Sequence, residues 1–202
     1  MAKKSRLKAN LTRLKRLAKS LDRNISIKVG IIGSEAGQKH EGSNLTNAEL
    51  GAVHEFGATI QVSEKMRGYL HSIGIHLKAG TSTITIPARS FLRETLLSDE
   101  GHKKLTKAVA QVLGSNVTAE NFSSDEQANK VLDDVAQFVA ENAYMEVMKA
   151  FENGGNPTAW TPISKATLEH RKQTKQSDTP LTDTGDLRHS IAYSIDGKKW
   201  GQ

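Results

Sequence analysis

Asp183-Thr184-Gly185 is the segment of this 202-residue chain that most directly suggests chemistry. The triplet matches that of aspartic proteases, where two aspartates about 3 Å apart share a proton and activate water. The chain holds one such triplet, so only a homodimer would supply the pair, and its helix-rich pattern does not suit a mostly β protease subunit. The competing expectation is structural. Asp183 caps a turn that carries Leu187 and Arg188, and Gly185 permits the bend.

His54-Glu55 opens like the H-E-x-x-H zinc motif, which sets two histidines one helical turn apart with the glutamate as base. Position 58 is Ala58, so no second ligand follows. His71 and His76 lie five apart in an expected strand and would face opposite sides. The seven histidines are scattered, and cysteine is absent, which excludes disulfides, thiolate metal sites and iron–sulfur ligation. Neither G-x-x-x-x-G-K-[ST] nor a post-strand G-x-G-x-x-G occurs. Nothing in the sequence assembles a nucleophile, a base and an oxyanion site, so neither an enzyme, a metal nor a cofactor is expected.

The charge distribution points elsewhere. Formal net charge is +6, from 28 basic and 22 acidic side chains. Residues 1–23 hold nine bases and one acid, a net +8, while the other 179 residues hold 19 bases and 21 acids, a net −2. A basic segment therefore sits on a nearly neutral body. No apolar run reaches the roughly 18 residues of a membrane span.

Leu7, Leu11, Leu14, Ala18 and Leu21 recur at spacings of 4, 3, 4 and 3, which predicts a helix over about 5–22 with one narrow apolar stripe. Lys8, Arg13, Lys15, Arg16, Lys19 and Arg23 fall on its flanks and far side. The expectation is a helix docked by its leucines, with its bases either solvated or aimed at DNA or an acidic partner surface. It lacks a secretory h-region and the Trp or Phe anchors of a membrane-surface helix.

Residues 24–202 read as one α+β domain, an antiparallel sheet packed against a long helix. Alternating Ile25, Ile27, Val29 and Ile31 predict a strand, and 33–44 a loop. Thr46 and Glu49 form a capping box for a helix over 47–56 that stops at Gly57. A strand over 59–63 follows, then an inserted arm or hairpin over 64–82, then a strand over 83–86 ended by Pro87. Helices are expected over 90–97, 100–113 and 124–152. Residues 154–182 read as an irregular loop with a short helix opened by Ser164. Ile191, Tyr193 and Ile195 alternate as a strand, and Asp196-Gly197 signals a two-residue hairpin.

Three segments in this order carry a resemblance: Asn47-Ala48-Glu49-Leu50-Gly51-Ala52-Val53-His54-Glu55-Phe56-Gly57, Ile86-Pro87-Ala88-Arg89-Ser90-Phe91-Leu92-Arg93, and Pro180-Leu181-Thr182-Asp183-Thr184-Gly185-Asp186-Leu187-Arg188-His189-Ser190-Ile191. Trp160 to Leu168 fits a loop and helix before the last of them. Across residues 25–195 the chain resembles the virion-morphogenesis proteins of tailed phages, also described as tail-completion or head–tail joining proteins, including those of Mu-like phages. The resemblance implies a non-enzymatic α+β subunit of a virion tail or neck, assembled in the host cytoplasm. It implies a homo-oligomeric ring, a hexamer by the tail's symmetry. Its partners would be the tail tube and a head-completion or adaptor protein, with transient contact to genomic DNA and none to membrane. Arg89 and Arg93, four apart on an expected helix, and Arg188 are candidates for the subunit interface. Such proteins continue past the turn at Asp196-Gly197, so either a neighbouring subunit completes the sheet or this copy is shortened.

Overall fold

The computed structural model describes residues 2–39, 44–116, 118 and 122–200, with the backbone alone described at 2–7, 21, 199 and 200. The elements in chain order are α1 (Ala2–Leu21), β1 (Ile27–Ile31), α2 (Ser34–Gly37), α3 (Asn47–Phe56), β2 (Ala58–Gln61), α4 (Glu64–Ser72), β3 (Thr83–Ile86), α5 (Arg93–Leu97), α6 (Asp99–Asn116), α7 (Asp125–Asn153), α8 (Lys165–Gln173), α9 (Asp186–His189), β4 (Ile191–Ile195) and β5 (Lys198–Trp200). The fold is α+β, and its strands form two antiparallel sheets: β1-β4-β5, and the pair β2-β3.

Helix α7 is the spine. Ser124 caps it by accepting from the Gln127 amide at 3.1 Å, and Gly154 ends it in the left-handed region at φ 66°. Its apolar stripe is buried from Ala128 to Phe151. The C-terminal half forms the main core with Phe91, Trp160, Leu181, Leu187 and Ile191. Phe151 lies at its centre, 5.3 Å from the Phe91 ring and 5.6 Å from Trp160, edge to face with the latter. The N-terminal half forms a second cluster in which Phe122, Ala128, Val131 and Val135 receive Leu17 of α1 and Val112 and Leu113 of α6.

Strand β4 is the middle strand of its sheet, so it is buried along Ile191 to Ser194 rather than on one face only. Tyr193 faces α7, where its hydroxyl accepts from Gln137 Nε2 at 2.8 Å. Asp196 and Gly197 both have positive φ, 47° and 81°, as a two-residue hairpin turn requires.

Several expectations change. The loop at 33–44 contains the helical turn α2. Helix α6 runs through Gly114 and Ser115 to Asn116. Residues 64–82 do form the arm of a hairpin, since β2 pairs with β3, but the arm carries helix α4 in place of strand. Ser63 accepts from the Met66 amide at 3.1 Å, which starts α4 and overrides the scattered apolar alternation. Arg67 then holds the returning chain through the Lys78 and Thr81 carbonyls. No residue of α4 is buried. His71 and His76 do not face apart: a helix end and a turn bring them together, Nδ1 to Nδ1 at 2.8 Å.

Phe151→Ala should lower unfolding stability by about 3–5 kcal/mol, because it empties the centre of the main core. Tyr69→Ala, on the exposed arm, should change it by less than about 0.5 kcal/mol. Urea denaturation of both variants checks the contrast.

Candidate functional site

The segments that carry the resemblance converge on one cleft of about 420 Å³. Leu50 and His54 come from α3, Ile84 to Pro87 and Arg89 from β3 and the residues after it, and Thr167 and Arg171 from α8 with its cap Ser164. Leu181 and Asp183 to Leu187 close it. The walls are tied together residue by residue.

The first tie is Glu55. The residue is 4% exposed, at the last turn of α3. It accepts from Ser90 Oγ at 2.5 Å, from the Leu92 amide at 3.0 Å, and from the Arg93 amide and Nε at 2.9 and 3.2 Å. One carboxylate of α3 thus satisfies the amides at the start of α5, where negative charge is favoured. Ser90 Oγ in turn accepts from the Glu94 amide at 3.0 Å. Next to it the two backbones touch: the Arg89 amide donates to the His54 carbonyl at 2.7 Å. Gly57 has φ 75°, and a β-carbon there would lie 2.9 Å from Ala88 N and Ile86 O, so only glycine fits.

The second tie is Arg89, which is 7% exposed. It precedes α5 and so does not share a helical face with Arg93; residues 89–92 turn inward to bury Phe91. Its Nε donates to the Thr161 carbonyl at 2.8 Å and its Nη2 to the Pro162 carbonyl at 3.3 Å, which pins the 154–164 loop. Burial, and secondarily the Arg171 guanidinium, lower its pKa. Arg171 holds the far wall. It donates to the Ser177 and Thr179 carbonyls and pairs with Asp183 at 3.7 Å.

Asp183 therefore does not cap α9. The residue before α9 is Gly185, at φ 86°, with no side-chain cap bond, and Thr184 Oγ1 donates to Asp186 at 2.6 Å. The Asp186 amide donates to Thr184 Oγ1 at 3.4 Å, and Asp183 is held by Arg171 instead. Leu187 of α9 packs into the main core, and a β-carbon at Gly51 of α3 would run into Ile31 and approach Leu187 at 3.7 Å.

Arg93 is half exposed and stacks 4.6 Å over the Phe56 ring. Arg188 Nη2 pairs with Glu152 of α7 at 2.8 Å. All three candidate interface arginines thus make bonds within the chain, and Arg93 and Arg188 also reach the surface.

The basic helix is docked the opposite way from expectation. Arg16 donates to the Phe122 and Ser123 carbonyls and pairs with Asp125 at 3.4 Å. Lys19 meets Asp125 at 2.9 Å, and Arg23 meets Asp133 at 2.7 Å and Asp196 at 3.5 Å. Leu17 and Ser20 complete the docked face. Leu11, Leu14 and Ala18 of the predicted stripe face solvent, at 54% exposure for Leu11 and 62% for Leu14. The side chains of Leu7 and Leu21 lie outside the described residues. Lys8 and Lys15 are exposed and Arg13 is half-buried. The reason is the acidic start of α7: Asp125 attracts Arg16 and Lys19, and Leu17 packs against the adjoining Phe122 cluster.

Sequence reasoning passed over Glu55 except as part of a zinc-motif fragment. A signal was present, because an acid in the last turn of a helix opposes the dipole and calls for a specific partner. Among the described residues no three His, Asp or Glu side chains gather as metal ligands, and no helix is long and apolar enough to cross a membrane. No family model, curated protein or solved structure compared with the chain matches it.

Glu55→Gln should cost about 2–3 kcal/mol, since it sets an amide N–H against buried donors; Arg93→Ala, half exposed, should cost about 1 kcal/mol. Urea denaturation separates the two. The hydrogen bond and charge of Lys19 hold Asp125 below its ordinary 3.8. A depressed carboxyl stabilises fully above its unfolded value and loses that contribution as pH falls through the folded one. Between about pH 6 and about pH 3 the melting temperature of Asp125→Asn should therefore fall less than that of the wild type.

Proposed function

We propose that the chain is a non-enzymatic structural subunit of a phage neck or tail terminus, forming a ring that completes the tail and joins it to the head. One observation carries this reading. The residues behind the resemblance hold one another: Glu55 with Ser90 and Arg93, Gly57 against Ala88, Arg89 on the 161–162 carbonyls, Leu187 in the core. They build a rigid body whose distinctive groups have structural partners. Asp183, the one aspartate with a protease-like setting, is neutralised by Arg171.

The hairpin arm supports the same reading. It carries α4 with no buried residue and leaves Tyr69 exposed, which suits an element reaching a neighbouring subunit in the ring. Electron microscopy of the purified protein with its tail tubes tests the proposal. Wild-type protein should cap tube ends as rings, and replacement of residues 64–82 by a short turn should leave a folded monomer and uncapped tubes. Uncapped tubes with the wild-type chain would sink the reading.

A second reading, non-specific nucleic-acid binding through the basic helix, draws on Lys8 and Lys15, which are exposed. Arg16, Lys19 and Arg23 are already paired with acids of the body. Binding to duplex DNA should then be weak and steeply salt-dependent, and lost on deleting residues 1–23. Titrations at graded salt would measure it.

A further inference from the structure

Helix α1 uses one face to dock and leaves another open. Arg16 and Leu17 meet the Phe122 segment and its cluster, and Ser20 on the same side is buried. Leu11, Leu14 and Ala18 lie on the opposite side and are exposed. In the sequence this row extends to Leu7 and Leu21, at alternating spacings of 4 and 3. That is the a/d rhythm of a two-helix seam, and exposed leucines in such a row favour burial against a second helix. We propose that this outward seam is the docking surface for one acidic amphipathic helix of a partner protein.

Charge selects that occupant. Lys8 and Lys15 follow seam positions 7 and 14 directly, so they flank the interface, and both are exposed. Before Asp22 the helix has no acid. A second copy of α1 laid antiparallel would set Lys8 against the other copy's Lys15, and a parallel copy would offer neither lysine an acid in α1. The body's nearby acids, Asp125, Asp133 and Asp196, are engaged on the docked face. A helix with an apolar seam and Glu or Asp on its flanks satisfies both the leucines and the lysines. A lipid surface fits less well, because the stripe is narrow and has no Trp or Phe. The inference stands apart from the ring reading, since it needs only the orientation of α1 on its own body.

The test uses the full chain and a fluorescein-labelled synthetic helical peptide with a leucine seam and glutamate flanks, followed by fluorescence anisotropy. The wild type should bind it. Leu11→Gln with Leu14→Gln should weaken binding at least ~10-fold with the melting temperature retained, since both residues are exposed. Lys8→Gln with Lys15→Gln should weaken it several-fold and flatten its salt dependence. Any of four results overturns the proposal: no binding at about 100 µM peptide; equal binding of a lysine-flanked control peptide; unchanged binding by the double leucine variant; or leucine-dependent capture by anionic phosphatidylglycerol vesicles or by a second copy of the chain in place of the peptide.

Discussion

The buried carboxylate of Glu55 is the interaction on which the rest of the body depends. It ends α3 and begins α5, and it fixes the point where the β2-β3 hairpin leaves and rejoins the core. Its neighbours repeat the constraint at the backbone. The His54 carbonyl takes the Arg89 amide, and Gly57 lets the Ala88 backbone pass at a distance no β-carbon tolerates. Beside these contacts Phe91 is buried in the main core, its ring tilted against that of Phe151 at 5.3 Å. Removing the carboxylate would leave a hydroxyl and two amides without their acceptor, which is why a single side chain carries so much of the junction.

Around that junction the molecule separates stiff parts from free ones. Helix α7 contributes to both apolar clusters and supports β4, so the sheet, the 154–182 loop and α6 are referred to one rod. Arg89 and Arg171 hold the long loop by its carbonyls, a use of arginine that needs its fixed fork of donors. What lies outside this framework is the α4 arm and the outward side of α1. Both present large apolar side chains that are mostly exposed, Tyr69 on one and Leu11 and Leu14 on the other. The proposed assembly role would use this division, because a stiff framework fixes the angle at which open surfaces meet another molecule.

Helix α1 shows how a correct periodicity leads to a wrong orientation. The leucine spacing identified the helix and its faces, and the natural inference was that the leucines face inward. Four ion pairs of Arg16, Lys19 and Arg23 and two carbonyl contacts to Arg16 outweigh them, because α7 begins with Asp125 beside the cluster that Leu17 joins. Each surface pair is weak alone. Together with the half-buried Leu17 and the buried Ser20 they choose the face. None of this is readable from α1 by itself, since the acids are contributed from more than 100 residues away.

The sequence by itself determined the elements and most of their ends. Periodicity located α7, β1 and β4, the Thr46–Glu49 capping box located α3, and Ser164 and the glycines at 57 and 154 set further boundaries, because these signals act within one or two turns of chain. It also showed that the charge is concentrated in the first 23 residues. Tertiary structure alone decided what the polar groups do: that Glu55 is a buried tie, that Arg89 is a loop staple, that Asp183 pairs with Arg171 instead of capping, and that His71 meets His76. Those outcomes depend on which distant donor or acceptor packing brings within about 3 Å, and hydrogen bonds and ion pairs fall off too steeply for any sequence spacing to encode that approach.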